Sequence, residues 1–378
     1  MFGEQLKVSN KQMKLSILTN MVAPYRVPFF KAVAGSDQVS KLEILTCVGR
    51  EVDRQWDIEN DNSYKVKRLG GITLNLNKGT DAKRILHFRF GIFISLIISR
   101  PDILIIGDAS WTSFLGALAC KLLGIRYVVW NEITTRSKVS HGIAAKLRRW
   151  MYRGAAKLVA SCQMAKDFLL DNGVPDSKIG IVNNAVDNEY YLGKRAELEP
   201  QRSRLRDDLG IGVDAFCFIY VGQLISRKRV LETLDLIAKV SEQTPVHLIV
   251  AGTGPLEGEM KNKAKEVGFE SISFCGYAQP DRLCELYVAS DALILLSEDE
   301  PWGMVVNEAL LFGKPYLVSD SVAAGVELVE KCISSLVIKS EGPNTSDIQK
   351  FIEMTAAKET SFVPNGPIQM AENLFRTI

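Results

Sequence analysis

Two glutamates flank a Pro-Trp-Gly turn in the stretch SEDEPWGMVVNEALLFG, residues 297–313. Glu300 lies on the predicted loop, and Glu308 lies about a turn and a half into the predicted helix. Carboxylates accept hydrogen bonds from sugar hydroxyls, while unpaired N–H groups at the helix start, near Gly303 and Met304, favour an anion. The stretch therefore predicts a pocket for a ligand with both hydroxyls and phosphate. Two solvated glutamates on an ordinary strand-to-helix turn are the alternative.

Three consecutive cations precede another predicted helix in YVGQLISRKRVLETL, residues 220–234. Arg227, Lys228 and Arg229 crowd the helix N-terminus, where each positive charge opposes the helix dipole by about 0.3–1 kcal/mol. A bound anion offsets this cost, because each charge-assisted hydrogen bond contributes roughly 1.5–3 kcal/mol. The cations therefore predict a phosphate site, with an exposed basic loop as the alternative.

A glycine-rich turn, IVAGTGPLEGEM (249–260), places Gly252 and Gly254 between a predicted strand and a predicted helix. In a dinucleotide fold of the dehydrogenase type, an acidic residue ends the next strand and holds a ribose. The next strand, ISFCGY (272–277), ends without a carboxylate. The turn therefore argues against a dehydrogenase.

Short apolar runs alternate with helical patterns along the whole chain and predict the elements that position these residues. Continuous apolar runs are typical of strands buried on both faces of a parallel sheet, and the βαβ rhythm occurs twice. The fold class is therefore α/β, with two doubly wound parallel-sheet (Rossmann-like) domains that face a central cleft. The predicted strands are 15–20, 42–47, 102–108, 127–132, 157–162 and 179–184 in the first half, and 216–222, 246–252, 272–277, 292–297 and 315–320 in the second.

The same patterns predict the domain boundaries. An N-terminal acceptor-side domain covers residues 1–192, a polar linker 193–204, and a nucleotide-sugar domain 205–364. An amphipathic helix within 365–378 is expected to pack back on the first domain. The most apolar window, 88–99, is too short to span a bilayer and is predicted to be a buried helix.

Composition narrows the function further. The chain has 378 residues, and its net charge of +2 gives no reason to expect a nucleic-acid partner. Seven well-separated cysteines without a CxxC pair indicate a reducing compartment and no metal site. The polar first dozen residues lack the apolar core of a signal peptide, so we expect a cytoplasmic location.

The second half of the sequence resembles the nucleotide-sugar domain of the GT-B glycosyltransferases of family 4. The matching motifs are, in order, YVGQL…RK, AGTGPL, SEDEPWGMVVNEAL and GKPYLVSD. The spacing of seven residues between Glu300 and Glu308 belongs to this resemblance. In the first half, TNMVAPYR (19–26) and GVPDSKIGIVNNAVD (173–187) are similar to the family's opening loop and hinge approach.

The resemblance implies retaining transfer of a sugar from a UDP- or GDP-sugar, without a metal or other cofactor. It implies that Glu308 holds the donor ribose and that Glu300 faces hydroxyls of the donor sugar. Arg227 and Lys228 would neutralise the leaving diphosphate. The same resemblance adds further donor-binding residues, namely Gly222, Gly252, Gly254, Trp302, Gly303, Met304 and Val305.

The chain departs from the family pattern at the expected catalytic position of the first domain. Many members have a histidine at the end of a first-domain strand, where this chain reads Gly107-Asp108-Ala109-Ser110. Either Asp108 or Ser110 takes that position, and we assign Asp108 as the catalytic candidate. Gln223 also stands where many members have an arginine, so Arg227 replaces that cation.

The acceptor side is predicted from strand ends. Asn20, Tyr25 and Arg26 follow the first strand and Glu132 ends another, so all four are expected to line the cleft. In the structural alternative, Tyr25 caps the core and Glu132 pairs with Arg136.

The basic and aromatic stretch AAKLRRWMYRGAAK (144–157) predicts either contact with an anionic membrane or a solvated helix face. The acceptor is expected to be a growing cell-surface glycan or a lipid-linked sugar. A nucleotide-sugar 2-epimerase and a non-catalytic nucleotide-sugar binding protein are the alternative functions.

Overall fold

The computed structural model of the protein describes residues 12–49, 62–76, 84–107, 110–139, 142–355 and 361–378. The strands described in the first half are β1 (Met13–Thr19), β2 (Val39–Thr46), β3 (Lys65–Arg68), β4 (Ile72–Leu76), β5 (Arg84–Phe88), β6 (Ile103–Ile106), β7 (Arg126–Asn131), β8 (Lys157–Ala160) and β9 (Ile179–Ile181). The helices there are α1 (Val27–Ala34), α2 (Gly91–Ser99), α3 (Trp111–Leu123), α4 (Ile143–Gly154) and α5 (Gln163–Asp171).

The second half follows the same alternation. Its strands are β10 (Phe216–Val221), β11 (Val246–Ala251), β12 (Ile272–Gly276), β13 (Ala292–Leu295), β14 (Tyr316–Ser319) and β15 (Leu336–Ile338). Its helices are α6 (Asn188–Leu198), α7 (Arg202–Asp208), α8 (Val230–Ser241), α9 (Glu257–Glu266), α10 (Pro280–Ala289), α11 (Met304–Leu311), α12 (Ala323–Leu328), α13 (Thr345–Thr355) and α14 (Pro367–Thr377).

Two parallel sheets form the cores of two α/β domains, so the predicted fold class is confirmed. The first sheet has the strand order β3-β2-β1-β6-β7-β8-β9, and the second has the order β12-β11-β10-β13-β14-β15. Their central strands are buried along their whole length, as in β6 and β11, because helices cover both faces of each sheet. Each predicted strand is present within a few residues of its expected bounds.

The segment predicted as a linker, 193–204, is helical and packs on the second domain. It spans the end of α6, a 3₁₀ turn at Glu199–Gln201 and the start of α7. Arg202 anchors it by donating to the carbonyl of Ser290 at 2.7 Å and to the Asp291 carboxylate at 2.5 Å. Leu198 is buried, so this polar segment still supplies an apolar contact.

The chain's last helix lies on the first domain. Met370 and Leu374 of α14 are buried in the same apolar cluster as Phe29 and Phe30 of α1. Asn188, at the start of α6, donates a 2.8 Å hydrogen bond to the carbonyl of Pro364 just before this helix. The chain therefore crosses between the domains twice, at α6 and before α14.

The prediction of a buried helix at residues 88–99 is wrong. Ile92 and Leu96 of α2 are buried, but Ile94, Ile97 and Ile98 are 64%, 52% and 72% exposed. The helix lies on the outside of the first domain and packs along one side only, so its unbroken apolar sequence does not mean burial on all sides. No described helix is both long and apolar enough to cross a membrane.

Candidate functional site

A cavity of about 200 Å³ lies between the two domains, at the carboxyl ends of the first-domain strands. Parallel sheets bind ligands at this edge, because the loops that follow the strands converge there. Pro301 closes the cavity from the second domain, next to the predicted donor residue Glu300. The lining residues are Gly107, Val129, Trp130, Asn131, Glu132, Ile133, Ser137, Tyr152 and Pro301.

An ion pair between Lys228 and Glu300 joins two of the predicted donor motifs. Lys228 ends a 3₁₀ turn and is 8% exposed, and its Nζ donates to Glu300 Oε2. The backbone of Glu300 is fixed too, because its N–H donates to the carbonyl of Ser321 at 3.1 Å and its carbonyl accepts from Ala323. The structure therefore brings two of the predicted catalytic side chains into contact.

Burial lowers the pKa of the Lys228 ammonium to about 7, and the nearby positive charge of Arg227 acts in the same direction. Asp299 opposes this shift. The carboxylate of Glu300, in direct contact, also favours the charged form. An anion that binds here stabilises the protonated form of Lys228, so binding of an anionic ligand raises the pKa of this lysine.

The other two cations of this loop have different surroundings. Arg227 is exposed and donates to the carbonyl of Asp299 at 2.7 Å. Arg229 has a left-handed backbone (φ 52°), and its side chain contacts Glu298 at 3.2 Å and the carbonyl of Ser340. Arg229 therefore fixes the loop, while Arg227 is accessible to a ligand.

The predicted donor glycines allow two loops to pack against each other. A Cβ on Gly252 would lie 1.8 Å from the carbonyl oxygen of Gly222, and one on Gly254 would lie 2.4 Å from that of Leu224. The loops are also joined by a 3.0 Å hydrogen bond from the Leu224 N–H to Thr253. Glycine is therefore required here by backbone packing, whether or not a ligand is bound.

Helix α11 begins at Gly303, whose φ of 96° lies in the left-handed region. The preceding Trp302 is buried, and its indole N–H donates to Asn307 Oδ1 at 2.8 Å. The Trp302 ring therefore fixes the turn from inside the domain and is not presented to a ligand. Met304 and Val305 occupy the first turn of α11, where helix N–H groups lack intrahelical partners.

Glu308 lies in a closed environment of tyrosines. It is 8% exposed, and the hydroxyl of Tyr287 donates to its Oε2 at 2.8 Å. Burial raises the pKa of the Glu308 carboxyl, and hydrogen bonds from Tyr287 and Tyr191 oppose this shift. The sequence analysis missed both tyrosines, because they lie on α10 and α6, far from the motif that contains Glu308.

On the first domain, Arg26 forms an ion pair with Glu132, which lines the cavity. The Arg26 guanidinium lies 5.1 Å from the centre of the Trp130 ring, and Asn184 Nδ2 donates to Glu132 at 3.3 Å. The structural alternative in which Glu132 pairs with Arg136 is wrong. The alternative in which Tyr25 caps the core is also wrong, because its side chain is exposed.

Three other residues of the first domain were predicted to lie at the site, namely Asn20, Asp108 and Ser110. The carbonyl of Asn20 accepts from the N–H groups of Cys47 and Val48 at 3.0 Å, which ties together the loops after β1 and β2. Ser110 caps helix α3 by accepting from the N–H of Ser113 at 3.3 Å. Asp108 lies outside the described residues.

Two polar contacts connect the domains beside the cavity. Arg136 Nη2 lies 2.9 Å from Asp320 Oδ2, and Ser137 Oγ lies 3.2 Å from Asp299 Oδ1. Asp299 is the residue before Glu300, so the first-domain loop that follows β7 reaches the donor loop directly. The described cleft is therefore in a closed arrangement at this point.

Comparison with known proteins supports the same architecture. The family Glycosyltransferase Family 4 matches residues 53–190, and Glycosyl transferases group 1 matches residues 201–359. Together the two matches cover most of the chain.

Curated relatives match part of the chain. A 2-deoxystreptamine glucosyltransferase of Streptomyces kanamyceticus is 24% identical over 54% of this chain and 55% of its own length. The alpha-galactosylglucosyldiacylglycerol synthase of Streptococcus pneumoniae is 28% identical over 47% of this chain and 48% of its own. The aligned part of the chain thus spans about half the length of these relatives.

A solved structure shares the fold of this protein over nearly the whole chain. The Anabaena protein HepE, in complex with UDP, has a TM-score of 0.71 at 15% identity and is aligned over 97% of this chain and 99% of its own. At this identity the likeness is one of fold. With the two family matches and the sheet order, it leads to one conclusion: the chain belongs to the GT-B glycosyltransferases of family 4.

Proposed function

We propose that the protein transfers a sugar from a nucleoside-diphosphate donor to an acceptor hydroxyl. The observation that carries the proposal is the contact between Lys228 and Glu300 beside the cavity. In this pair, Lys228 provides a cation for phosphate and Glu300 provides a carboxylate for sugar hydroxyls, and the two side chains are in direct contact. The exposed Arg227 and the first turn of α11 add donors for the same phosphates.

In the proposed reaction, the bond from the anomeric carbon to the diphosphate oxygen breaks while the acceptor oxygen bonds to that carbon on the same face, and the proton of the acceptor hydroxyl passes to the departing diphosphate. Negative charge then grows on the leaving diphosphate, and Arg227 and Lys228 stabilise it. Because these side chains supply the positive charge, we propose that no metal is required. We also propose that the anomeric configuration is retained, and the anomeric coupling in the NMR spectrum of the product tests this.

We propose that Glu308 accepts hydrogen bonds from the donor ribose. Tyr287 and Tyr191 orient the carboxylate and help to keep it ionised despite its burial. UDP is the favoured nucleotide, in keeping with the UDP bound in the structurally similar HepE. A GDP donor is the competing possibility, and binding titrations with both nucleotides distinguish them.

We propose that the acceptor enters on the side of Arg26 and Glu132. Glu132 of this pair lines the cavity from the first domain, and Pro301 lines it from the second. A glycan or lipid-linked acceptor at the cytoplasmic face of a membrane, in cell-surface polysaccharide synthesis, fits this position. The similarity to the pneumococcal alpha-galactosylglucosyldiacylglycerol synthase supports a lipid-bearing acceptor.

The test is to incubate the purified protein with UDP- and GDP-sugars, with and without membrane lipid extract. A transferase releases nucleoside diphosphate and yields a glycosylated acceptor that mass spectrometry detects. A 2-epimerase instead changes the nucleotide sugar without consuming an acceptor. A binding protein leaves the donor intact.

A further inference from the structure

The outward face of helices α2, α3 and α4 is both apolar and basic. On α2, the exposed isoleucines Ile94, Ile97 and Ile98 stand at helical spacing and form one stripe. On α3, Leu118 and Leu122 are exposed beside Lys121, and Leu122 is 71% exposed. Scattered exposed apolar residues are ordinary, but side-by-side stripes on packed helices form a patch of the kind that marks an interaction site.

Helix α4 places a basic groove beside this patch. The groove has a volume of about 420 Å³ and is lined by Lys121, Lys146, Arg149, Trp150, Arg153 and Gly154. The Lys121 ammonium lies 4.1 Å from the centre of the Trp150 ring, so α3 and α4 meet at this point. Cationic and apolar side chains therefore share one continuous face.

The charge of this face has one sign. The sequences of α2, α3 and α4 contain no aspartate or glutamate, although the whole chain has almost equal numbers of acidic and basic residues. A solvated helix face normally mixes both signs. The absence of acidic residues from these three helices favours an anionic partner. The exposed isoleucines and leucines require that the same partner also bury apolar side chains.

We propose that this face, termed here the α2–α4 face, docks on a bilayer that contains anionic lipids. The isoleucines and Leu122 enter the acyl boundary, Trp150 lies at the interface, and the cations of α4 contact lipid phosphates. The described helices are too short to span a bilayer, so the docking is interfacial. The role of this docking in presenting a lipid-linked acceptor rests on the proposed function, but docking itself does not require transfer.

The position of the face suits such an acceptor. Helix α3 begins at Trp111, shortly after Gly107, which follows β6 and lines the cavity between the domains. Tyr152 of α4 lines the same cavity. Docking through α3 and α4 would therefore hold the acceptor side of the cavity close to the lipid surface.

The test is cosedimentation of the full chain with vesicles of phosphatidylcholine alone, or of phosphatidylcholine mixed with phosphatidylglycerol. We expect binding to the anionic vesicles that weakens with added salt. The variant K146Q/R149Q/R153Q should lose affinity on the order of a hundredfold, because each cation contributes separately. Its control, K239Q/K265Q, removes exposed lysines of the second domain and should bind like the natural chain.

The apolar stripe is tested by I97S/I98S, which should weaken binding by roughly tenfold or more. The matched control is I333S, since Ile333 is 79% exposed on the second domain. All replaced residues are exposed, so thermal unfolding should be unchanged and loss of binding is not loss of folding. No donor is present, so failure here is separate from failure of the transfer reaction.

Several outcomes would overturn the docking proposal. These are no binding to anionic vesicles, equal binding to both vesicle types, and full binding by either set of variants. A dimer in sedimentation velocity that I97S/I98S dissociates would also overturn it, because a second copy of the chain would then cover the stripe.

Discussion

At the residue scale, the central feature is a buried lysine whose charge depends on its ligand. The pKa of Lys228 is lowered to about 7 by burial and by Arg227. An anionic donor raises this pKa in the complex, so well below pH 7 the lysine is charged in both states and affinity is flat. Above pH 7, Lys228 is deprotonated in the free protein but protonated in the complex. Donor binding must therefore be accompanied by uptake of a proton from solution.

We therefore predict that affinity for a UDP-sugar falls by up to about tenfold per pH unit as pH rises above 7. Isothermal titration in buffers of different ionisation enthalpy measures the proton uptake. The control is Lys228→Arg, whose guanidinium stays charged and should give a flat profile. A sloping profile that is the same in both proteins would assign the proton to another group.

The second residue-scale prediction concerns Glu308. Glu308→Ala removes a charged acceptor for ribose hydroxyls and should weaken binding of nucleoside diphosphate by about 1–3 kcal/mol. Tyr287→Phe removes the 2.8 Å hydrogen bond that orients the carboxylate and should cost less, about 0.5–1.5 kcal/mol. Titration of UDP measures both. Unchanged affinity in Glu308→Ala would exclude the ribose role.

Local sequence was sufficient to predict the cations and glutamates, but not their partners. Lys228 and Glu300 were identified from separate motifs, and the structure brings them into contact. The tyrosines around Glu308 could not be predicted, because they come from helices distant in sequence and carry no motif. The same is true of the Arg26–Glu132 pair, which joins residues 106 positions apart.

At the element scale, the contact between the two glycine loops can be tested by stability. Gly252→Ala places a methyl group 1.8 Å from a carbonyl oxygen, so the loops must separate. Overpacking and backbone strain together should lower the free energy of unfolding by about 2–5 kcal/mol. Chemical denaturation measures the loss.

The control for this variant is Gly258→Ala in helix α9. A Cβ at Gly258 has no atom within 4 Å, and alanine favours the helix by roughly 0.8–1 kcal/mol. We expect this control to be as stable as the natural chain or more so. If Gly252→Ala is equally well tolerated, the loops are not held together as described.

The strands were the elements most accurately predicted, because unbroken apolar runs are buried on both faces of a sheet. Four of the described strands were not predicted, namely β3, β4, β5 and β15. Strand β3, with the sequence KVKR, is an edge strand with mostly polar residues and has no apolar run to indicate it. Helix α2 was placed correctly along the chain but predicted to be buried. Its sequence has almost no polar side chains, so the pattern could not indicate which face meets solvent.

At the scale of the whole molecule, polar contacts join the two domains beside the cavity. Arg136→Gln combined with Ser137→Ala removes the two contacts beside the cavity. An exposed ion pair contributes only about 0.2–1 kcal/mol, so we predict a twofold to fivefold fall in transfer rate with donor affinity unchanged. The control is Lys138→Gln, an exposed neighbour on the same loop.

Closure of the cleft excludes water that would otherwise hydrolyse the donor, which is why transfer should suffer more than binding. Small-angle scattering with donor should show a less compact double variant than the natural protein. A variant with full transfer activity would show that these contacts do not hold the closed state. The sequence could not predict them, because domain contacts depend on the relative placement of two separately folded units.

The proposed reaction is tested most directly by release of nucleoside diphosphate and glycosylation of acceptor in the natural protein and in Glu300→Gln. This variant keeps the size of the side chain but removes the charge that pairs with Lys228. We predict that the natural protein couples release to acceptor glycosylation and that Glu300→Gln lowers turnover by about two orders of magnitude or more. Absence of release from every UDP- and GDP-sugar, or equal turnover in the two proteins, would contradict it.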